Sequence, residues 1–156
     1  AAFSLDRGQL DLQWKSLQRE AHPDRFASEG AAAQRIAMQW SVRINEAYNR
    51  LKDPLKRAAY LCELQGAPVQ AENNTAMPAA FLMQQMEWRE ALDEANSEAA
   101  LENLLDDTQT THNTMLAQLA QHIDQSADAP AAVQTVRALM FVERFAQEVA
   151  NRLDRY

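Results

Sequence analysis

His22, Pro23 and Asp24 stand consecutively and are followed by Arg25. An imidazole and a carboxylate two residues apart could act as a base and its orienter, but hydrolytic or transfer chemistry also needs a nucleophile and oxyanion donors, and the neighbouring sequence supplies neither. Binding is the better use of these groups. Proline ends a helix and fixes the local backbone, so His22 and Asp24 are expected at an exposed tip. Lys15 and Arg19, four apart, place two cations on one strip of the preceding helix. Together with Arg25 they make a basic strip ending in a rigid loop with one carboxylate.

Other groups with chemical potential are less suggestive. His112 and His122 are ten apart and share no helical ligand geometry. The pairs Asp93-Glu94 and Asp106-Asp107 are adjacent and read as solvated. Cys62 is the single cysteine, which excludes an intrachain disulfide and any all-cysteine metal site within one chain, and it reads as a small buried hydrophobe. No phosphate-binding loop is present. The expectation is a chain that is not an enzyme and holds no metal or cofactor.

A second surface emerges from the segment 79–95. At about 100° per residue, Phe81, Trp88, Leu92 and Ala95 share one face, which is the core face. Leu82, Met83 and Met86 fall on another side, beside Glu87, Glu90 and Glu94. A contiguous apolar group edged by carboxylates and turned away from the core fits either a docking patch, for which methionine is suited because it adapts to irregular partner surfaces, or a face packed on the first domain or a neighbouring helix.

The elements that must carry these groups are helical. Glycine occurs three times and proline five in 156 residues, with no alternating β-branched runs. Asp6 with Gln9 predicts a capped first helix whose face is Leu10, Trp14, Leu17 and Ala21, ending at Pro23. A loop with Ser28, Glu29 and Gly30 is expected to lead into a second helix over 33–52, with Ile36, Trp40, Ile44, Ala47, Tyr48 and Leu51 on one stripe. Asp53-Pro54 restarts a short helix that Gly66 stops. Residues 67–77 are the expected linker. Pro78 opens a helix to about Asn96, Ser97 caps the next, Ser126 to Pro130 breaks it, and a last helix carries Val133, Val136, Met140, Val142, Phe145, Val149 and Leu153. The predicted architecture is all-α: a helical hairpin domain over 1–66 and a three-helix bundle over 78–156.

The charge is uneven. Residues 1–65 carry a net +2 and residues 66–156 a net −9, for −7 overall, which argues against nucleic acid as a partner and hints at two surfaces with different partners. No stretch is long and apolar enough to span a bilayer, and no signal-peptide pattern opens the sequence. The lone cysteine favours a reducing compartment, and the cytoplasm is the expected location.

The run Leu17 to Phe26 around His22-Pro23-Asp24, followed by Ile44-Asn45-Glu46-Ala47-Tyr48 and Leu51-Lys52-Asp53-Pro54, resembles a J-domain. That family stimulates ATP hydrolysis by chaperones of the seventy-kilodalton heat-shock class. The resemblance implies that His22, Pro23, Asp24, Lys15, Arg19 and Arg25 contact the chaperone, with Arg25 standing where Lys is usual. J-domains begin with a short helix ahead of the hairpin. The sequence opens at Ala1-Ala2-Phe3 without it, so part of the hairpin seam is expected to lie open.

Across residues 10–156 the chain is similar to the bacterial iron–sulfur co-chaperones of the HscB family, most tellingly in the segment from Ala80 to Glu94 and in Arg137-Ala138-Leu139-Met140-Phe141. The resemblance implies a co-chaperone that delivers an IscU-type cluster scaffold to an HscA-type ATPase. Leu82, Met83, Met86, Glu87, Glu90, Glu94 and Phe141 would bind the scaffold. Met86 stands where leucine is common, a swap of similar volume. Iron–sulfur clusters would ride on the scaffold, since one cysteine cannot hold one. The alternative is a J-domain protein or helical adaptor that serves a different client.

Overall fold

The computed structural model describes residues 2–69 and 79–156, and among them every regular element is helical. Helix α1 (Arg7–Ala21) starts at Asp6, whose carboxylate accepts from the Gly8 and Gln9 N–H groups. It runs antiparallel to α2 (Ala31–Lys52). Between them lies a 3-10 segment, Pro23–Glu29, where the sequence predicts a loop, so Ser28 and Glu29 belong to a helical turn. Proline at its first position and Gly30 at its end, with φ of 100°, bracket it.

The hairpin is tied by polar bonds as much as by packing. Trp14 Nε1 and Gln18 Nε2 both donate to Asn45 Oδ1, at 3.0 and 2.6 Å. The Tyr48 hydroxyl donates to Asp11 at 2.6 Å, and its ring stacks on Trp14 with centroids 4.5 Å apart. The Tyr48 hydrogen bond and then Arg7 hold the Asp11 carboxyl below the usual carboxylate range. Only Ala37 is buried in either helix, and one side of the seam is an open trough of about 500 Å³ lined by Leu10, Trp14, Leu17, Trp40, Ile44 and Tyr60 among others. Ile36 and Trp40, read as seam residues, are more than half exposed, at 56% and 55%. The C-terminal part of the stripe, Ile44, Ala47, Tyr48 and Leu51, is half-buried, while its N-terminal part at Ile36 and Trp40 is left open.

Helix α3 (Pro54–Leu64) starts as predicted, with the Asp53 carboxylate accepting from Leu55 N–H at 2.9 Å. It buries Ala58, Leu61 and Cys62, and burial pushes the Cys62 thiol upward. Gly66 ends it with φ of 77°. The expected linker is only partly described. Ala67 and Val69 already pack on the core, and residues 70–78, with the expected helix start at Pro78, lie outside the described residues.

The bundle is α4 (Ala79–Glu94), α5 (Glu98–Ala120) and α6 (Ala129–Leu153). Ser97 caps α5 by accepting from Ala100 N–H at 3.1 Å. The predicted break near Ser126 is real, but it is preceded by a π turn, Gln121–Gln125, that carries Ile123 into the core, and Pro130 lies inside the first turn of α6 after the Asp128 cap. Leu101, Leu119, Val136, Leu139, Val142, Phe145 and Val149 form the centre, each 1% exposed or less. Arg152 of α6 donates to the Leu92 and Ala95 carbonyls and so closes the end of α4.

Helix α3 packs on α6, so the hairpin domain sits against the bundle. Phe3 is buried at this junction, and the Phe3 and Ser4 N–H groups donate to the Asp124 carboxylate at 2.6 and 2.9 Å. The Arg57 guanidinium lies over the Phe3 ring, 4.9 Å from its centroid. The buried Arg137 donates from Nε and Nη2 to the Val69 carbonyl at 3.1 and 2.8 Å.

Candidate functional site

The His22 backbone is extended, with φ of −64° and ψ of 130°, the geometry forced on a residue before proline. It serves both as the end of α1 and as the cap of the 3-10 segment. Its Nδ1 accepts from the Asp24 N–H at 3.2 Å and lies 3.7 Å from the Asp24 carboxylate. With Nδ1 accepting, the neutral ring carries its proton on Nε2. The Asp24 side chain is 90% exposed and that of His22 57%. The tip therefore offers a carboxylate and an imidazole to a partner.

Lys15, Arg19 and Arg25 are exposed as well. Arg25 reaches back to the Arg19 carbonyl at 3.5 Å, a long bond that draws the loop cation toward the end of α1. A shallow hollow lined by Gln18, Arg19, His22 and Arg25 groups the loop with the helix strip. Arg19, His22, Pro23, Asp24 and Arg25 thus belong to one end of the hairpin, and Lys15 lies one turn before Arg19 in the middle of α1. The arrangement has no nucleophile and suits charge-assisted binding.

The second surface lies on α4. Phe81, Trp88, Leu92 and Ala95 are buried, as their spacing predicts, while Leu82, Met83 and Met86 are 46%, 65% and 72% exposed. Glu87, Glu90 and Glu94 are exposed beside them. Phe141 of α6 is half-buried. It meets Phe81 edge-on at 5.7 Å and stacks on Phe145 at 5.8 Å. Trp88 stacks on Phe145 at 5.3 Å, so an aromatic core underlies the patch.

Sequence reasoning did not single out Arg89. Its guanidinium lies 5.7 Å from the Phe141 centroid and 5.3 Å from that of Phe145, and it donates to Glu148 at 2.6 Å. The available signal was its angle, about 20° from Leu82 at about 100° per residue. His112 is half-buried and faces Glu143 at 3.6 Å. Burial and the nearby Asp53 raise the Glu143 pKa, against the pull of His112. Among the described residues no group of acidic, histidine and cysteine side chains could hold a metal ion, and no helix is long and apolar enough to cross a membrane.

The structure is a helical hairpin with His-Pro-Asp at its tip, packed on a three-helix bundle. Comparison with known proteins makes the class specific. Residues 77–150 match the family described as the HSCB C-terminal oligomerisation domain. The chain is 49% identical to the co-chaperone protein HscB homologs of Burkholderia multivorans and Burkholderia thailandensis, over 99% of this chain and 90% of each relative. It superposes on the chaperone HscB from Vibrio cholerae with a TM-score of 0.80 at 37% identity, covering 99% of this chain and 92% of that one. Human co-chaperone protein HscB gives a TM-score of 0.85 at 25% identity, covering 97% of this chain and 76% of that one. The chain belongs to the HscB co-chaperone family.

Proposed function

We propose that this protein is a J-type co-chaperone of iron–sulfur cluster assembly in the cytoplasm, which brings an IscU-type scaffold to an HscA-type ATPase and stimulates ATP hydrolysis there. The observation that carries this reading is the exposure, in one chain of a co-chaperone family, of two unlike surfaces on separate elements: the basic tip around His22-Pro23-Asp24 and the apolar, acid-edged patch around Leu82, Met83 and Met86. Lys15, Arg19 and Arg25 attract an acidic face of the ATPase, and Asp24 is free to pair with one of its cations. The scaffold buries Leu82, Met83, Met86 and the open part of Phe141, with Glu87, Glu90 and Glu94 meeting a basic rim. Holding both partners on one molecule raises the effective concentration of one near the other. The nucleotide site belongs to the ATPase and the cluster to the scaffold.

Steady-state ATP hydrolysis by the cognate ATPase, with this protein and the scaffold added separately and together, tests the reading. We expect synergy, with stimulation abolished by His22→Gln while scaffold affinity is kept. Loss of scaffold affinity in that variant would overturn the separation of the two surfaces. Absence of any stimulation would overturn the J-type assignment. The description of the matching family as an oligomerisation domain favours a second reading, in which the α4 patch joins copies of this chain. Sedimentation of the Leu82→Ala/Met83→Ala variant beside the parent separates the two.

A further inference from the structure

Arg89 is the one cation of α4, in a helix whose exposed side is otherwise apolar or acidic. A free arginine there would oppose any partner chosen by Glu87, Glu90 and Glu94. It is not free: its guanidinium lies over the rings of Phe141 and Phe145 and is bound to Glu148 of α6 at 2.6 Å. Phe141 needs such a hold. It is half-buried: its inner side packs on the core, meeting the Phe81 ring edge-on and stacking on the Phe145 ring, while the part left open is the part that Arg89 reaches. Arg89 sits one turn from Met86 and two from Leu82, on the flank of α4 that borders α6.

We propose that Arg89 is a positioning residue of the scaffold-facing surface. Tied to Glu148, it holds the Phe141 ring beside the Leu82–Met86 patch and turns its own charge away from a partner with a basic rim. This inference rests on the scaffold reading above. It adds Arg89 and Glu148 to the surface, although Glu148 is not part of the apolar patch. The attraction of a cation for an aromatic face at an exposed site corresponds to about a two- to fivefold change in affinity.

Calorimetric titration of the cognate cluster scaffold into the full chain tests it, with the Leu82→Ala/Met83→Ala variant as the gauge of the underlying reading. We expect Arg89→Ala to weaken binding about two- to fivefold, and Glu148→Gln to weaken it in the same direction. Because Arg89 acts through Phe141, adding Arg89→Ala to Phe141→Ala should cost nothing further. Thermal melts of each variant monitor folding, and non-additivity is read only among variants that keep the parent's fold, since a general loss of fold would mimic it. Additive losses from Arg89→Ala and Phe141→Ala, or unchanged affinity in Arg89→Ala, would overturn the inference while leaving the scaffold reading in place. Unchanged affinity in the Leu82→Ala/Met83→Ala variant would overturn both.

Discussion

Proline at position 23 does three jobs at once. It stops α1, holds His22 extended, and opens the 3-10 turn that presents Asp24 to solvent. The helix stop and the exposed tip were legible in the residues, because proline acts through its own ring rather than through distant contacts. The α4 patch was legible for a similar reason: seven or more residues of one helix share a fixed rotation, so the buried set Phe81, Trp88 and Leu92 implies where Leu82 and Met86 must point. We expect Leu82→Ala/Met83→Ala to change the unfolding free energy by no more than about 0.5 kcal/mol per site, since both side chains are already largely exposed. Scaffold binding should weaken by at least about 1 kcal/mol, as for residues at the centre of an interface. Urea unfolding and scaffold titration on the same preparation check the pair, and an equal loss in both would make the patch structural.

Helix boundaries followed the capping chemistry closely. Asp6, Asp53 and Ser97 each satisfy first-turn N–H groups that the helix itself cannot pair. Ser97→Ala leaves the Ala100 N–H without its 3.1 Å partner and should cost about 1 kcal/mol of stability. That cost corresponds to a fall of roughly 2–4 °C in Tm for a chain of this size, read by far-ultraviolet circular dichroism. What the elements did not disclose was their irregular pieces. The π turn at Gln121–Gln125 differs from an α-helix by one residue per turn, and no residue type announces it. Likewise Pro23 and Gly30 mark the ends of a connection without saying that its middle is a 3-10 helix.

The junction between hairpin and bundle was invisible in the sequence, because it is made by single residues far apart with no period to betray them. Phe3 and Ser4 meet Asp124, Arg57 covers Phe3, and Arg137 grips Val69. At Asp124 burial disfavours the charge, but the Ser4 and Phe3 N–H groups outweigh it, so the carboxyl titrates below its usual range. A folded-state value below the unfolded one contributes stability above about pH 3.9, and that contribution is lost as pH falls through the folded value. Asp124→Asn should therefore lower stability by roughly 1 kcal/mol at pH 7, a modest figure because the site is solvent-screened. The gap between variant and parent should begin to narrow below about pH 4 and go on narrowing as pH falls. Thermal melts from pH 3 to pH 7 check this, and a gap that persists at the acid end would show that Asp124 acts through packing alone.

Because α3 packs on both α2 and α6, the molecule resembles a workshop jig more than a leash. A leash tolerates a partner of any size within its reach. A jig accepts only a workpiece whose two machined faces match its own spacing and angle. A scaffold and an ATPase that each fit their surface well but stand at the wrong distance from one another would gain nothing from being held together. On the function proposed above, the tolerance of such a device would be set by Phe3, Asp124, Val69 and Arg137, which lie at the junction and outside both proposed surfaces.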